Sequence, residues 1–430
     1  MRRYHLWTVG CQVNKADSAK LAAGLDQFGM EAVDTPEEAD LVVLNTCAVR
    51  QGAEERTIGK LHALKRLKGQ RGDLTIAMMG CMVGPRTADL ERRFPFVDIF
   101  ARPQQFDAIM HAVGAGTDDL GGEFWPQTVG QAQGVTAYVP VIEGCNKFCT
   151  YCIVPYRRGR ERSRALDEIV YEVATHVRSG VREVTLLGQT VEAYGLDLPE
   201  RPDLGDLMRA IHDLTGLERI RFLTSYPRDM TDRIIEAVAE LPKVCECFSL
   251  PVQAGHDDVL DAMHRGYSLA EYRETIERVR RLMPDAGIST DVIVGFPGET
   301  EAQFDATRAL LEEMRFDKVH VAAYSPRPGT IAWRKLPDDV PDPVKKERLQ
   351  RVEEIQARIA TEINARLLGS TVEVLIEGEE KGRPHGRTRS GKIVHIVGDV
   401  PTGAAPTAGD LVQVRIEKTS PWSLQGSLVS

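Results

Sequence analysis

Residues 143–152 read EGCNKFCTYC. Cys145, Cys149 and Cys152 stand there in a C-x3-C-x2-C spacing within one short loop. Three thiolates packed so closely invite a metal or an iron–sulfur cluster. Structural zinc takes four protein ligands in a closed tetrahedron, whereas this loop supplies three cysteines and no nearby histidine. Three cysteines fit a 4Fe-4S cluster that keeps one iron open. The loop follows an apolar run at Ala137–Ile142, and five more such runs come after it: Glu183–Leu187, Ile220–Leu223, Cys247–Val252, Ser289–Val294 and Val319–Tyr324. Helical patterns separate them, as at Asp167–Ser179, where Ile169, Val173 and Val177 recur every four residues and Gly180 ends the run. Six strand–helix units predict an incomplete β/α barrel with its chemistry at the C-terminal ends of the strands. The segments LLGQTVEAYG, LTSYP, LPVQAG, VGFPGE and YSPRPG fall at those ends and carry the Gly, Pro and polar residues of site-forming loops.

Upstream, Cys11, Cys47 and Cys81 each follow a short apolar run directly: HLWTVG, DLVVLNT and LTIAMMG. Helical stretches at 17–28 and roughly 50–67 lie between them. Alternating strand and helix predicts a parallel sheet, whose strand ends of one polarity share an edge. The three cysteines should therefore converge. Cys245 and Cys247 would share a strand face, with packing as the expected role because no third ligand is evident. Residues 113–134, rich in Gly, Asp and Gln, read as a linker. A charged helix at Val344–Leu367 bears the apolar stripe Val352, Ile355, Ile359 and Ile363. From Gly369 short β-like runs predict a small all-β barrel. The fold class is thus α/β, in three expected domains: 1–118, 131–364 and 367–430.

The 430 residues exceed one compact core. A 42% apolar and 27% charged composition is ordinary for globular chains. No apolar run nears the roughly 18 residues that cross a bilayer, and the start shows no secretory pattern. A soluble, cytoplasmic chain without disulfides is expected. The net charge of −9 excludes a uniformly basic surface, yet two stretches are locally basic. Residues 140–165 hold Lys147, Arg157, Arg158, Arg160, Arg162 and Arg164 against Glu143 and Glu161. Lys381–Lys392 holds five basic residues, Lys381, Arg383 and Arg387 among them, and no acid. Such patches supply the phosphate-binding part of RNA recognition. Tyr156 and Tyr194 are candidates for stacking on an unpaired base.

The segment EGCNKFCTYCIVPYRRGRERSR resembles the radical S-adenosylmethionine (SAM) loop of the methylthiotransferase family. GCQVNKADS, NTCAVR and GCM resemble that family's amino-terminal cluster segments, and the β-tail resembles a TRAM domain. The resemblance spans nearly the whole chain. It implies two 4Fe-4S clusters, one on Cys145, Cys149 and Cys152 and an auxiliary one on Cys11, Cys47 and Cys81, with Asn14 near the first. It also implies a SAM pocket lined by Tyr151, Gln189, Gln253, Asp291 and Gly295. The implied activity is methylthio transfer to carbon 2 of isopentenyladenosine beside a tRNA anticodon. The implied partners are the anticodon stem-loop and an electron donor such as a flavodoxin or ferredoxin, with the enzyme a monomer. A related adenosine or a ribosomal protein is the alternative substrate, and a zinc-bound RNA-binding module the non-catalytic alternative. The chain departs from the family at Thr190, Glu192, Cys247, Ser249 and Ala254, positions expected near the barrel mouth.

Overall fold

The computed structural model describes residues 2–49, 51–114, 134–398 and 405–429. Most of the expected linker at 113–134 lies outside them. The amino-terminal body contains β1 (Arg3–Thr8), α1 (Gln12–Gln27), β2 (Glu31–Ala32), β3 (Leu41–Thr46), α2 (Gln51–Gln70), β4 (Thr75–Gly80), α3 (Ala88–Arg93), β5 (Ile99–Ala101) and α4 (Asp107–Ala112). Its sheet runs β2-β1-β3-β4-β5 and is parallel throughout. Thr8 faces Asn45 and Thr46 faces Gly80, so the strands end level. Every residue of β3 is buried, as expected for a strand covered on both faces.

The central body opens with β6 (Thr136–Pro140), a short ribbon of β7 (Ile142–Glu143) and β8 (Arg162–Ser163) around α5 (Val154–Arg158), then α6 (Leu166–Arg178) and β9 (Glu183–Leu187). It continues through α7 (Leu204–His212), β10 (Arg219–Leu223), α8 (Asp232–Glu240), β11 (Cys247–Ser249), α9 (Asp257–Ala262) and α10 (Leu269–Leu282). It ends with β12 (Gly287–Val294), α11 (Glu301–Met314), β13 (Lys318–Ala323), α12 (Ile331–Lys335) and α13 (Asp342–Ala365). The six strands form two parallel three-stranded sheets, β10-β9-β6 and β11-β12-β13, joined by a bridge from Ile220 to Val244. This is the expected open barrel. Val352, Ile355 and Ile359 of α13 are buried in its core, so the apolar stripe packs.

Two contacts fix the outer bodies on this barrel. On one side Val13 and Ala16 of α1 pack with Leu187, Tyr138 and Leu223, which places α1 over the C-terminal ends of β9 and β10. On the other, β14 (Thr371–Glu380), β15 (Arg383–Thr388), β16 (Ile393–Ile396), β17 (Leu411–Thr419) and β18 (Leu424–Leu428) close a five-stranded barrel. Its 388–392 turn docks at the N-terminal ends of the central strands. Arg221 donates to Glu183 at 2.9 Å and to the carbonyls of Arg389 and Thr388 at 2.8 Å each. Arg389 returns the contact through Glu246, Pro242 and Val244. Glycine is required at 287, where a Cβ would lie 2.2 Å from the Ser390 carbonyl oxygen.

This docking corrects two expectations. Cys247 lies at the start of β11 beside Gly391, at the end opposite the mouth. Cys245 precedes the strand and is fully buried; burial pushes its thiol up to about 11. Breaking one half of the Arg221–Glu183 pair leaves a buried charge alone. Arg221→Ala should therefore cost about 3–5 kcal/mol, while Arg221→Met with Glu183→Met should cost much less than the sum of the single changes. Urea unfolding of Arg221→Ala, of the double variant and of its two single changes checks this.

Candidate metal centre

Level strand ends bring Cys11, Cys47 and Cys81 together. Cys11 is the residue immediately before α1, and Cys47 and Cys81 directly follow β3 and β4. Gly10, at φ +130°, lets the first loop approach: a Cβ there would lie 2.9 Å from the Cys47 Cβ. Asn14 ties the loops by donating to the carbonyls of Val9 (2.9 Å) and Thr46 (3.0 Å). Asn45 braces α1 by donating to the Asn14 carbonyl and the Ser18 hydroxyl. Burial pushes the Cys81 thiol up to about 11, and the neighbouring Cys11 and Cys47 push the same way.

The second triad stands on the loop between β7 and α5. Thr150 anchors it, its N–H to Met263, its hydroxyl to Ala262 and its carbonyl receiving the Ala332 N–H. Cys145 Sγ lies 3.6 Å from the Thr190 hydroxyl, and Arg265 Nη1 donates to Cys149 Sγ at 3.4 Å. Cys152 is pushed up to about 12 by burial, then by Cys149. Among the described residues no three His, Cys, Asp or Glu side chains are placed to hold one metal ion. Three cysteines leave one corner of a four-iron cluster open, which suits the make-up of each triad. The donor set also fits: each triad is all thiol and each has a buried guanidinium beside it. Arg158 Nη1 is buried without a nitrogen or oxygen acceptor, as expected where a sulfur acceptor belongs. The residues present therefore suit iron–sulfur clusters at both places.

A cavity of about 1070 Å³ is lined by Tyr151 and Cys152 of the second triad's loop and by Val49 and Gln51, which follow Cys47. Gln253 and Asp291 line it, as does the exposed Trp422 of the small barrel.

Comparison with known proteins completes the assignment. Residues 3–101 match the uncharacterized protein family UPF0004, residues 139–311 the radical SAM superfamily and residues 365–429 the TRAM domain. A tRNA-2-methylthio-N(6)-dimethylallyladenosine synthase of Dehalococcoides mccartyi (strain CBDB1) is 46% identical over 435 residues, 100% of this chain and 99% of that one. The protein of the same name from Roseiflexus sp. (strain RS-1) is 48% identical over 431 residues, 99% and 90% of the two chains. The chain belongs to this synthase family. The solved structure of the radical SAM methyltransferase TsrM from Kitasatospora setae has a TM-score of 0.56 at 16% identity, covering 77% of each chain, a likeness of fold.

Against this family background the expected site residues separate. Tyr151, Gln253 and Asp291 line the cavity; Gln253 adopts φ +75° and pairs its backbone with Asp291 and Ile293. Gln189 is half-buried just past β9. Gly295 faces α13 instead, where a Cβ would meet the Lys345 side chain at 2.4 Å. The basic residues divide more sharply. Arg158 is buried and paired with Asp17 at 2.9 Å, which removes it from any RNA surface. Asn14 and Asp17 hold this arginine. Arg157 is half-buried and lies over Gly84. Arg160 and Arg162 are exposed, the first over the Phe148 ring, the second 3.7 Å from Glu143. Lys381 and Arg383 are exposed, and Arg387 is paired with Glu377 at 3.0 Å. Tyr194 is buried and cannot stack on a base.

Sequence reasoning missed Arg265. It is 4% exposed, reaches Cys149, Tyr151, Tyr267 and the Pro251 carbonyl, and lies 4.7 Å from the Tyr226 ring centre. Its only sequence signal was a charge in the loop after α9. Glu192 accepts from the Tyr226 N–H at 3.0 Å. Burial pushes its carboxyl up to about 7, against the pull of Ser225 and Tyr226. The folded chain therefore keeps this proton between its ordinary 4.5 and about 7, where the unfolded chain has released it. Folding stability should fall as pH rises through that window, by up to roughly 3 kcal/mol. Glu192→Gln should flatten this slope in denaturant melts taken from pH 4.5 to 7.5.

Proposed function

We propose that this chain adds a methylthio group to carbon 2 of N6-dimethylallyladenosine beside the anticodon of tRNA. The observation that carries the reading is the placement of two all-cysteine triads at strand ends of adjoining α/β bodies, with a cavity lined by Cys152 and by Val49 and Gln51 just after Cys47. The relatives' names supply the substrate. In this reading residues 1–118 hold the auxiliary cluster, 131–364 form the radical SAM core and 367–430 the RNA-binding barrel. When bound, two 4Fe-4S clusters and two SAM molecules supply one-electron bond cleavage, sulfur and methyl.

The chain's own part is binding, orientation and exclusion of water. Cys145, Cys149 and Cys152 hold one cluster and Cys11, Cys47 and Cys81 the other. Tyr151, Gln253 and Asp291 bind SAM from the cavity wall. An aromatic C–H has no acidic proton for a base to take, so no catalytic acid or base is needed among the lining residues. Exposed Lys381, Arg383, Arg160 and Arg162 attract phosphates, and Trp422 offers a stacking face beside the opening. A flavodoxin- or ferredoxin-type protein supplies electrons to a cytoplasmic monomer. Among the described residues no helix is long and apolar enough to cross a membrane.

Mass spectrometry of tRNA nucleosides from a strain lacking the gene tests the reading. Methylthio-adenosine should vanish and its unthiolated precursor accumulate, and the wild-type gene should reverse both. An unchanged nucleoside profile would overturn the substrate assignment. In purified protein, Cys11→Ala should still cleave SAM while forming no methylthiolated product, and its iron content should fall from about eight to about four per chain.

A further inference from the structure

Arg158 leaves the radical SAM loop and enters the amino-terminal body. It closes α5, six residues after Cys152, and its side chain is 1% exposed. One nitrogen, Nη2, donates to both Asn14 Oδ1 at 3.0 Å and Asp17 Oδ2 at 2.9 Å. These oxygens belong to α1, the helix that Cys11 begins. The other, Nη1, is buried and meets no nitrogen or oxygen acceptor, while the Cys81 thiol feels a hydrogen bond from this side chain. Of the charges around the Cys81 thiol, Arg158 acts most strongly, and Cys11 is the next thiol to feel it. Arg157, from the same short helix, also reaches Cys81 with its charge.

An arginine kept only for its ion pair with Asp17 would not leave a second N–H buried without a nitrogen or oxygen acceptor, since an unsatisfied buried donor is costly. The fork of N–H groups is rigid, so holding Nη2 on two oxygens aims Nη1. We propose that Arg158 is a positioning residue that donates a hydrogen bond from Nη1 to sulfur of the group held by Cys11, Cys47 and Cys81, setting that group's place relative to the radical SAM loop and stabilising its reduced form. The inference rests on the two-cluster reading above. Hydrogen bonds and positive charge at cluster sulfurs raise a reduction potential. The donor comes from the sequence that also carries the other cluster, so one α5 displacement would be felt at both sites.

The test uses full-length, anaerobically reconstituted protein in two backgrounds. Cys149→Ala leaves only the amino-terminal cluster to report, and Cys47→Ala leaves only the radical SAM cluster. In each, potentials of the parent, Arg158→Lys and the double change Asp17→Asn with Arg158→Leu are read by EPR-monitored redox titration. The double change removes both members of the ion pair, so no buried charge is stranded. In the Cys149→Ala background the double variant should titrate at a more negative potential than its parent, with Arg158→Lys between them. In the Cys47→Ala background the three should coincide. Iron lost from the amino-terminal triad alone, with the metal-free melting temperature unchanged, also supports the proposal. An unchanged potential in the first background, or equal shifts in both, overturns it. A Cys149→Ala parent that binds no iron overturns the two-cluster reading together with it.

Discussion

Parallel pairing in level register is the constraint on which the rest of this molecule depends. Thr8 against Asn45 and Thr46 against Gly80 force three loops to leave the sheet at one edge. The cysteines at those exits, 34 to 36 residues apart in the chain, then occupy one small region. A slip of one residue would send each side chain to the opposite face and disperse the triad. The buried Asn14 and Asn45 reinforce the register, because their amides reach carbonyls on neighbouring loops and would be left unsatisfied by any other alignment.

Helix α1 carries that local order to the central barrel. It starts at Cys11, braces the exits of β1 and β3, and lays Val13 and Ala16 on Leu187 and Leu223. Its polar face meets buried charges of the central body: Asp17 with Arg158 at 2.9 Å, and Lys20 near Glu172 at 4.0 Å. Removal from water penalises both members of such pairs. The Lys20 ammonium shows the cost directly, being pulled down to about 8 by burial although Glu172 opposes the shift. Charges of this kind are weak glue but strict about geometry: each is tolerated only where its partner stands. They hold the amino-terminal sheet over the mouth of the barrel in a single orientation, which an apolar interface of the same area would fix less tightly.

How far this was legible in the sequence differs by interaction range. The strands at 183–187 and 289–294 were visible as apolar runs because buried parallel strands are hydrophobic on both faces, and three apolar runs with helical stretches between them placed Cys11, Cys47 and Cys81 at one edge. The C-x3-C-x2-C loop announced its chemistry through spacing alone. The basic stretches misled for a physical reason. Charge density along a chain does not distinguish a solvated arginine from one bonded to a carboxylate across a domain boundary. Arg158, Arg389 and Lys392 looked like phosphate binders, yet their partners, Asp17, Glu246 and Asp317, lie from 75 to 143 residues away. Arg265 was invisible likewise, since nothing local to it reveals that Cys149 stands 116 residues upstream.

The two ends of the barrel now acquire distinct roles. At the C-terminal end loops carry cysteines, glutamine and aspartate around an open cavity. At the N-terminal end Arg219 and Arg221 are consumed by backbone carbonyls of the small barrel, and Gly287 and Gly391 let that barrel approach within contact distance of the strands. The cavity lies along β13 and α13, with the exposed Trp422 in its lining. The carboxyl-terminal barrel thus does two things with one rigid body. Its 388–392 turn closes the bottom, and Trp422, in the turn between β17 and β18, lines the cavity. Arginine-to-carbonyl bonds suit this arrangement because they are directional and remain charged at any physiological pH, so the geometry of the entrance does not vary with the protonation of the site it serves.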